Sequence, residues 1–295
     1  MKAKATIIAA LDNSRSSRSA FKQALALAVS RRAELVAVAV TPRYEGAMSR
    51  LSIDDPEQAL SAPFINSLKD AADYAASLGL TVRTEHLIGV PSAEIVSFAE
   101  REAAGLVVIG GCRRTQMERV LLGRTTARII ADAPCDVLIV PEGSEVQFSS
   151  ILVGINGSAA SLRAGSAALE LAEDYGSTVH ALTAVEVPID RSLRYGVMEE
   201  ARTAGRKKLI AFQQYAEQHG KQLICEVRVS DADRALIDYA EKAGSQLIIV
   251  GSSAGSGVGH LMSGSIVERV VSQATCPVLA VKGEVDNGSA RSRAS

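Results

Sequence analysis

The chain has 295 residues, 47% of them hydrophobic, and no apolar run near the length of a membrane-spanning helix, so it reads as soluble and globular, with two domains. Lys and Arg number 32 against 33 Asp and Glu, and a net charge of −1 denies it the broad basic field that non-specific nucleic-acid binding needs. Tryptophan is absent and aromatics are 4%, which argues against base-stacking platforms; neither nucleic acid nor membrane is expected as a partner.

The four cysteines, Cys112, Cys135, Cys225 and Cys276, form no C-x-x-C pair, and no signal-peptide pattern opens the sequence, so a reducing cytoplasm is the expected location. His86, His180, His219 and His260 are scattered without metal-ligand spacing, and no metal site is expected from them.

Taken in chain order, short β-branched runs alternate with segments of helical period. Strands are expected near Ala5 to Leu11, Glu34 to Val40, Thr81 to Leu87, Leu106 to Gly110 and Asp136 to Val140. A second set follows near Ile151 to Ile155, Thr178 to Val185, Gln222 to Val229, Leu247 to Gly251 and Pro277 to Val281. These runs are apolar on both faces, as buried parallel strands are. Between them Phe21, Leu25 and Ala28, and later Ile95, Phe98 and Ala99, recur at helical spacing and mark core stripes.

The two sets are copies of one unit. Thr6 to Ser14 matches Ser150 to Ser158 position for position at an offset of 144, while Leu106 to Gly110 and Cys135 to Val140 match Leu247 to Gly251 and Cys276 to Val281 at 141. The second copy has lost three residues after its second strand, where a loop or helix end absorbs a deletion. The fold class expected is α/β, as two tandem doubly wound (Rossmann-like) domains, each with a five-stranded parallel sheet, related by a pseudo-two-fold axis. Residues 1–143 form the first domain and 144–283 the second; residues 284–295, poor in groups to bury, form a disordered tail. The last strand of each copy lies at a sheet edge, so Val137 to Val140 and Val278 to Val281 are expected to pair inside the chain or between two chains.

Open α/β sheets bind ligands outside the carboxyl ends of their strands, where strand order reverses. Strand one ends in Asp12 in the first copy and Asn156 in the second; strand four ends in Gly110 and Gly251, each before a long loop into a helix. In the second copy that loop is rich in Gly and Ser, from Gly251-Ser252 to Gly264-Ser265-Ile266; it offers close main-chain approach to a phosphate and a helix start that attracts anions, although a plain flexible turn has the same composition. No G-x-x-x-x-G-K-[ST] loop and no G-x-G-x-x-G after strand one occurs. The only histidine near the loop's serines is His260, five residues before Ser265, which makes a poor case for a Ser-His hydrolase.

A strand followed by G-x-x-G, nine residues and G-[ST], with an acidic residue ending strand one, resembles the nucleotide signature of universal stress proteins of the tandem type. The resemblance covers nearly the whole chain and implies a stress-response or signalling protein binding ATP or a related adenine nucleotide, with or without Mg, and with weak or no turnover. In the second copy the motif falls on Gly251, Ser252, Ala254 in place of the second glycine, Gly264, Ser265 and Ile266, with Asn156 in place of the acid. In the first it falls on Asp12, Val40, Gly110, Arg113 in place of the glycine, Gly123, Arg124 in place of Ser or Thr, and Thr125. Ala254 adds one methyl and Asn156 keeps a carbonyl oxygen, whereas Arg113 and Arg124 either fill the phosphate space or bring cations to it. The second copy is therefore the expected nucleotide site, with a nucleotide-independent interaction protein whose pockets have decayed as the alternative.

Overall fold

The computed structural model describes residues 5–43, 56–111, 122–187, 196–252 and 265–283. The first half runs β1 Thr6–Leu11, α1 Arg15–Arg31, β2 Glu34–Pro42, α2 Pro56–Ser77, β3 Arg83–Gly89, α3 Pro91–Arg101, β4 Leu106–Gly111, α4 Arg124–Asp132 and β5 Asp136–Pro141. The second runs β6 Ser150–Gly154, α5 Ala159–Tyr175, β7 Thr178–Val185, α6 Val197–Gln218, β8 Leu223–Val229, α7 Ala232–Ala243, β9 Leu247–Ser252, α8 Ile266–Gln273 and β10 Val278–Lys282. The turn glycines Gly79 and Gly220 already stand at the 141 offset, so the three-residue deletion falls between β2 and the end of α2.

All ten strands form one sheet in the order β3-β2-β1-β4-β5-β10-β9-β6-β7-β8. Pairing is parallel within each half and antiparallel where the halves meet, with Val137 opposite Ala280, Leu138 opposite Leu279 and Ile139 opposite Val278. The order reads the same from both ends, so the halves are related by a pseudo-two-fold axis normal to the sheet. Such an axis preserves faces: α1, α2, α5 and α6 cover one side and α3, α4, α7 and α8 the other, each group closing a core that runs through both halves. The expected contact between last strands thus forms inside the chain. It also closes the other route. β5 lies between β4 and β10, and β10 between β5 and β9, so a second chain cannot pair with either.

The outer strands correct the expectation of runs buried on both faces. Ile88 on β3 is 53% exposed and Ile224 on β8 is 48%, because each sits at the end of the sheet with one neighbour instead of two. Strand β3 also starts at Arg83 rather than Thr81, where pairing to Val36 begins.

Glycine decides how the first helix of each half approaches the sheet. A Cβ on Gly110 would lie 2.6 Å from the main chain of Ser16 and Ser17, and one on Gly251 2.4 Å from the main chain of Ala160. Only a residue without a side chain lets the first turn of α1 or α5 rest on the end of the fourth strand. The segment joining the halves is docked as well: the Val146 amide donates to Gln23 Oε1 of α1 at 2.9 Å, and Phe148 stacks on Tyr175 of α5 at 4.4 Å between centroids.

One polar tie crosses the junction without a symmetric partner. Lys282, 6% exposed, donates from Nζ to the carbonyls of Ile130 and Ala131 at 2.6 and 2.7 Å, and its amide donates to Asp136 Oδ1 at 2.9 Å. A cation at the carboxyl end of α4 meets the negative end of the helix dipole. The corresponding residues of the other copy are Pro141 for Lys282 and Pro277 for Asp136, which cannot repeat it. Burial holds the Lys282 pKa below its ordinary 10.5 and pushes that of the Asp136 carboxyl up.

Replacing Gly251 by Ala is expected to destabilise the protein by about 1–3 kcal/mol in urea denaturation, since the added methyl meets main chain that cannot yield. Gly154→Ala, whose nearest neighbour would be Leu236 at 3.4 Å, is the tolerated control. Leu279→Pro removes the amide that β10 directs toward β9, in the strand that makes the junction, and should lower stability by a comparable amount. Because the folded Lys282 pKa is depressed, its contribution is complete above 10.5 and is lost as pH falls through the folded value. The stability of the wild type relative to Lys282→Met should therefore rise as pH is raised toward 10.5, as read by denaturation across the alkaline range.

Candidate functional site

At the carboxyl end of β6 the chain turns in a way that its own side chains dictate. Asn156 Oδ1 accepts from the Ser158 amide at 2.9 Å, Gly157 takes φ +85°, and Ser158 caps α5 by accepting from the Ser161 amide at 3.2 Å. Ser161 Oγ donates back to the Ser158 carbonyl at 2.9 Å and accepts from the Asn156 amide at 3.3 Å. The first half repeats this turn: Asp12 Oδ1 accepts from the Ser14 amide at 3.1 Å, Asn13 takes φ +65°, and Ser14 caps α1 by accepting from Ser17 N at 3.0 Å. Left-handed backbone is tolerated at Asn and free at Gly, which explains the exchange of Asn13 for Gly157.

The turn has a chemical consequence. Only an oxygen can accept from an amide, so Asn156 must use Oδ1 internally and present Nδ2, a donor, outward. Asp12 spends one carboxylate oxygen the same way and keeps a second acceptor for a ligand hydroxyl. Both side chains are exposed.

The ends of β9 and β10 lie beside the first turn of α5 in the second half, and α8 follows β9. Gly251 and Ser252 end β9 against Ala160 of α5, the Gly283 amide donates to the Ser252 carbonyl at 3.0 Å, and Ser265 begins α8. Ser265 accepts from the Glu268 amide at 3.2 Å, an N-cap that holds one of the amides left open at a helix start. Thr183, fully buried on β7, donates to the Ile155 carbonyl at 2.6 Å and pins the main chain one residue before Asn156; Ala39 at the equivalent position of the first half cannot.

Of the residues expected from sequence, Asn156 and Gly251 meet through the first turn of α5, and the other described ones lie at or after the carboxyl ends of their strands. In the second half these are Asn156, Gly251, Ser252, Ser265 and Ile266, while Ala254 and Gly264 lie outside the described residues. In the first half Asp12, Val40, Gly110, Gly123, Arg124 and Thr125 share one edge, and Arg113 lies outside. Gly110 and Gly251 have a packing role as well: each makes room for a helix start. Val40 is 3% exposed, so only its main chain is available. Gly123 is the N-cap of α4 without a side-chain bond, and Arg124 and Thr125 stand exposed in the first turn, so the guanidinium is open to solvent or an anion and is not buried as a plug. Reading the loops for glycine missed Thr183, Ser158 and Ser161; the repeated spacing Asx-x-Ser-x-x-Ser was the available signal.

Because the halves are antiparallel at the junction, the two carboxyl edges point in opposite directions and the sites face away from each other.

Comparison with known proteins gives one answer. Over 238 residues the chain is 28% identical to universal stress protein Rv2005c of Mycobacterium tuberculosis, covering 78% of each. It is 45% identical over 74 residues to universal stress protein MJ0531 of Methanocaldococcus jannaschii, a stretch that spans 25% of this chain and 44% of that one. A crystal structure of a universal stress protein from Archaeoglobus fulgidus superposes with a TM-score of 0.75 at 16% identity, covering 95% of this chain and 98% of the other. A universal stress protein crystallised in complex with cAMP matches 46% of this chain at 21% identity and a TM-score of 0.38. The universal stress protein family profile matches residues 5–141 and again 147–282, and the chain belongs to that family in its two-domain form.

Proposed function

We propose that the protein binds an adenine nucleotide at the carboxyl edge of β6 and β9 and acts as a nucleotide-responsive stress or signalling protein with little or no turnover. The observation that carries this reading is that the Asn156 turn and the Gly251-Ser252 strand end meet at the first turn of α5, on the carboxyl edge of the second half. A helix start offers main-chain donors to phosphate, and a preorganised turn offers side-chain groups to a ribose. Thr183 supports the preference for the second half by fixing the Ile155 carbonyl. Among the described residues no three His, Cys, Asp or Glu side chains converge. In the first half, Arg124 in the opening turn of α4 favours a degenerate site or one for a different anion.

Calorimetry with ATP, ADP, AMP and cAMP on the intact chain tests the proposal, with mass spectrometry of the natively purified protein to detect a retained nucleotide. Asn156→Asp leaves the turn's acceptor in place and adds a second carboxylate oxygen for a ribose hydroxyl. It should tighten binding by about tenfold, the value of one hydrogen bond to a charged group. Ser265→Ala should weaken binding while costing about 1 kcal/mol of stability as a lost cap. If neither the wild type nor Asn156→Asp gives heat with any of the four compounds, and nothing co-purifies, the interaction-protein reading replaces this one.

A further inference from the structure

The internal junction uses up β5 and β10, and among the described residues the sheet ends at β3 and β8. Strand β8, Leu223–Val229, carries no proline or lysine, and its outer main chain has no neighbouring strand there. Natural edges are usually blunted by such residues. Its side chains alternate: Leu223, Cys225 and Val227 turn toward the core under α6, while Glu226 and Arg228 lie on the opposite face beside Tyr239, paired with each other at 2.8 Å. Over the edge, α6 and β8 enclose a groove of about 740 Å³ whose apolar lining, Met198, Leu209, Ile210 and Val227, is bordered by Arg202 and Arg206, both paired with Glu199. Ile210 is 47% exposed, Met198 38% and, on the other face, Ile224 48%. Apolar side chains are thus exposed on both faces of a strand that has no outer partner among the described residues, interrupted on the α6 side by Arg202 and Arg206.

We infer that β8 is the homodimer interface: the β8 of a second copy pairs with it antiparallel about a two-fold axis normal to the sheet, extending ten strands to twenty. Charge selects the register. Centred on Glu226, the ladder sets two carboxylates face to face; centred on Arg228, it opposes two guanidiniums. Centred on Val227, it places Glu226 opposite Arg228 of the second copy twice, Val227 opposite Val227, and Cys225 opposite Val229, so both faces are matched along the strand. Sliding further shortens the ladder and sets Glu226 against Ile224. The helices fit the same arrangement. Strands lie about 4.8 Å apart and α6 packs over both β7 and β8, so the two α6 helices come to about 10 Å, a normal packing distance, and close the groove over the inserted strand. Strand β3 is the poorer edge: its only complementary self-pairing, Arg83 opposite Glu85, spans three residues, and Arg83 is already bonded to Glu34 and Glu102.

The test is the mass of the intact chain by sedimentation equilibrium. The wild type is expected to be a dimer, Glu226→Arg or Arg228→Glu to weaken it by about tenfold or more, and the double exchange Glu226→Arg/Arg228→Glu to restore it. Thermal melting checks that each variant is folded. Should the single variants fail to fold, Val227→Cys in a Cys225→Ser background decides, because cross-strand partners on the axis lie within disulfide reach and should form an interchain bond on mild oxidation. A monomeric wild type overturns the inference. So does a dimer indifferent to the single reversals, a double exchange that does not recover, or a folded Val227→Cys chain that stays unlinked.

Discussion

The three-residue antiparallel ladder between β5 and β10 governs this molecule. Val137, Val140, Val278 and Ala280 are almost fully buried, and each half alone would leave an apolar strand unpaired at its margin. A buried aliphatic side chain is worth about 1.5–3 kcal/mol, so a few such residues on each side outweigh the cost of ordering a short linker. The ladder also sets the symmetry. An antiparallel contact in the plane of the sheet makes the axis normal to it, which joins like faces into continuous cores and sends the two carboxyl edges in opposite directions. The two candidate edges are thereby kept apart.

Much of this was legible in the residues. The duplication, the alternation of strand and helix and the pairing of the last strands all follow from patterns that the chain carries locally. What stayed hidden depends on position in the sheet. Ile88 and Ile224 look like core residues in a β-branched run, and only the strand order shows that they lie on outer strands. The glycines ending β4 and β9 are also required by packing against the first turns of α1 and α5, remote in sequence and brought near by the crossover. Thr183 is silent in sequence because a buried threonine on a strand normally signifies only packing; its bond to the Ile155 carbonyl appears once β6 and β7 are in register.

The two copies have diverged where chemistry could differ and stayed alike where geometry is needed. Asp12 and Asn156 differ in charge, yet each supplies the oxygen that closes the same turn; Asn13 and Gly157 differ in size, yet each accepts the left-handed backbone. The turn therefore tolerates a change in what its outward atoms present. The same logic applies at the junction, where Lys282 and Asp136 are replaced by Pro141 and Pro277 in the other copy. That tie needs to be made only once per chain, because fusion makes the two sides of the pseudo-axis inequivalent.

Fusion also changes what the rest of the surface must do. In separate single domains an edge formed by the last strand would remain open to any copy; here it is satisfied within the chain, at an effective concentration that no second molecule matches. Any further growth of the sheet is displaced to the outermost strands, and these differ. β3 ties its arginine into ion pairs with Glu34 and Glu102 on neighbouring elements, whereas β8 pairs Glu226 with Arg228 along itself, a pattern that remains complementary when the strand is turned end over end. The asymmetry created by joining two copies thus reaches the far margins of the sheet, about five strands from the point where they were joined.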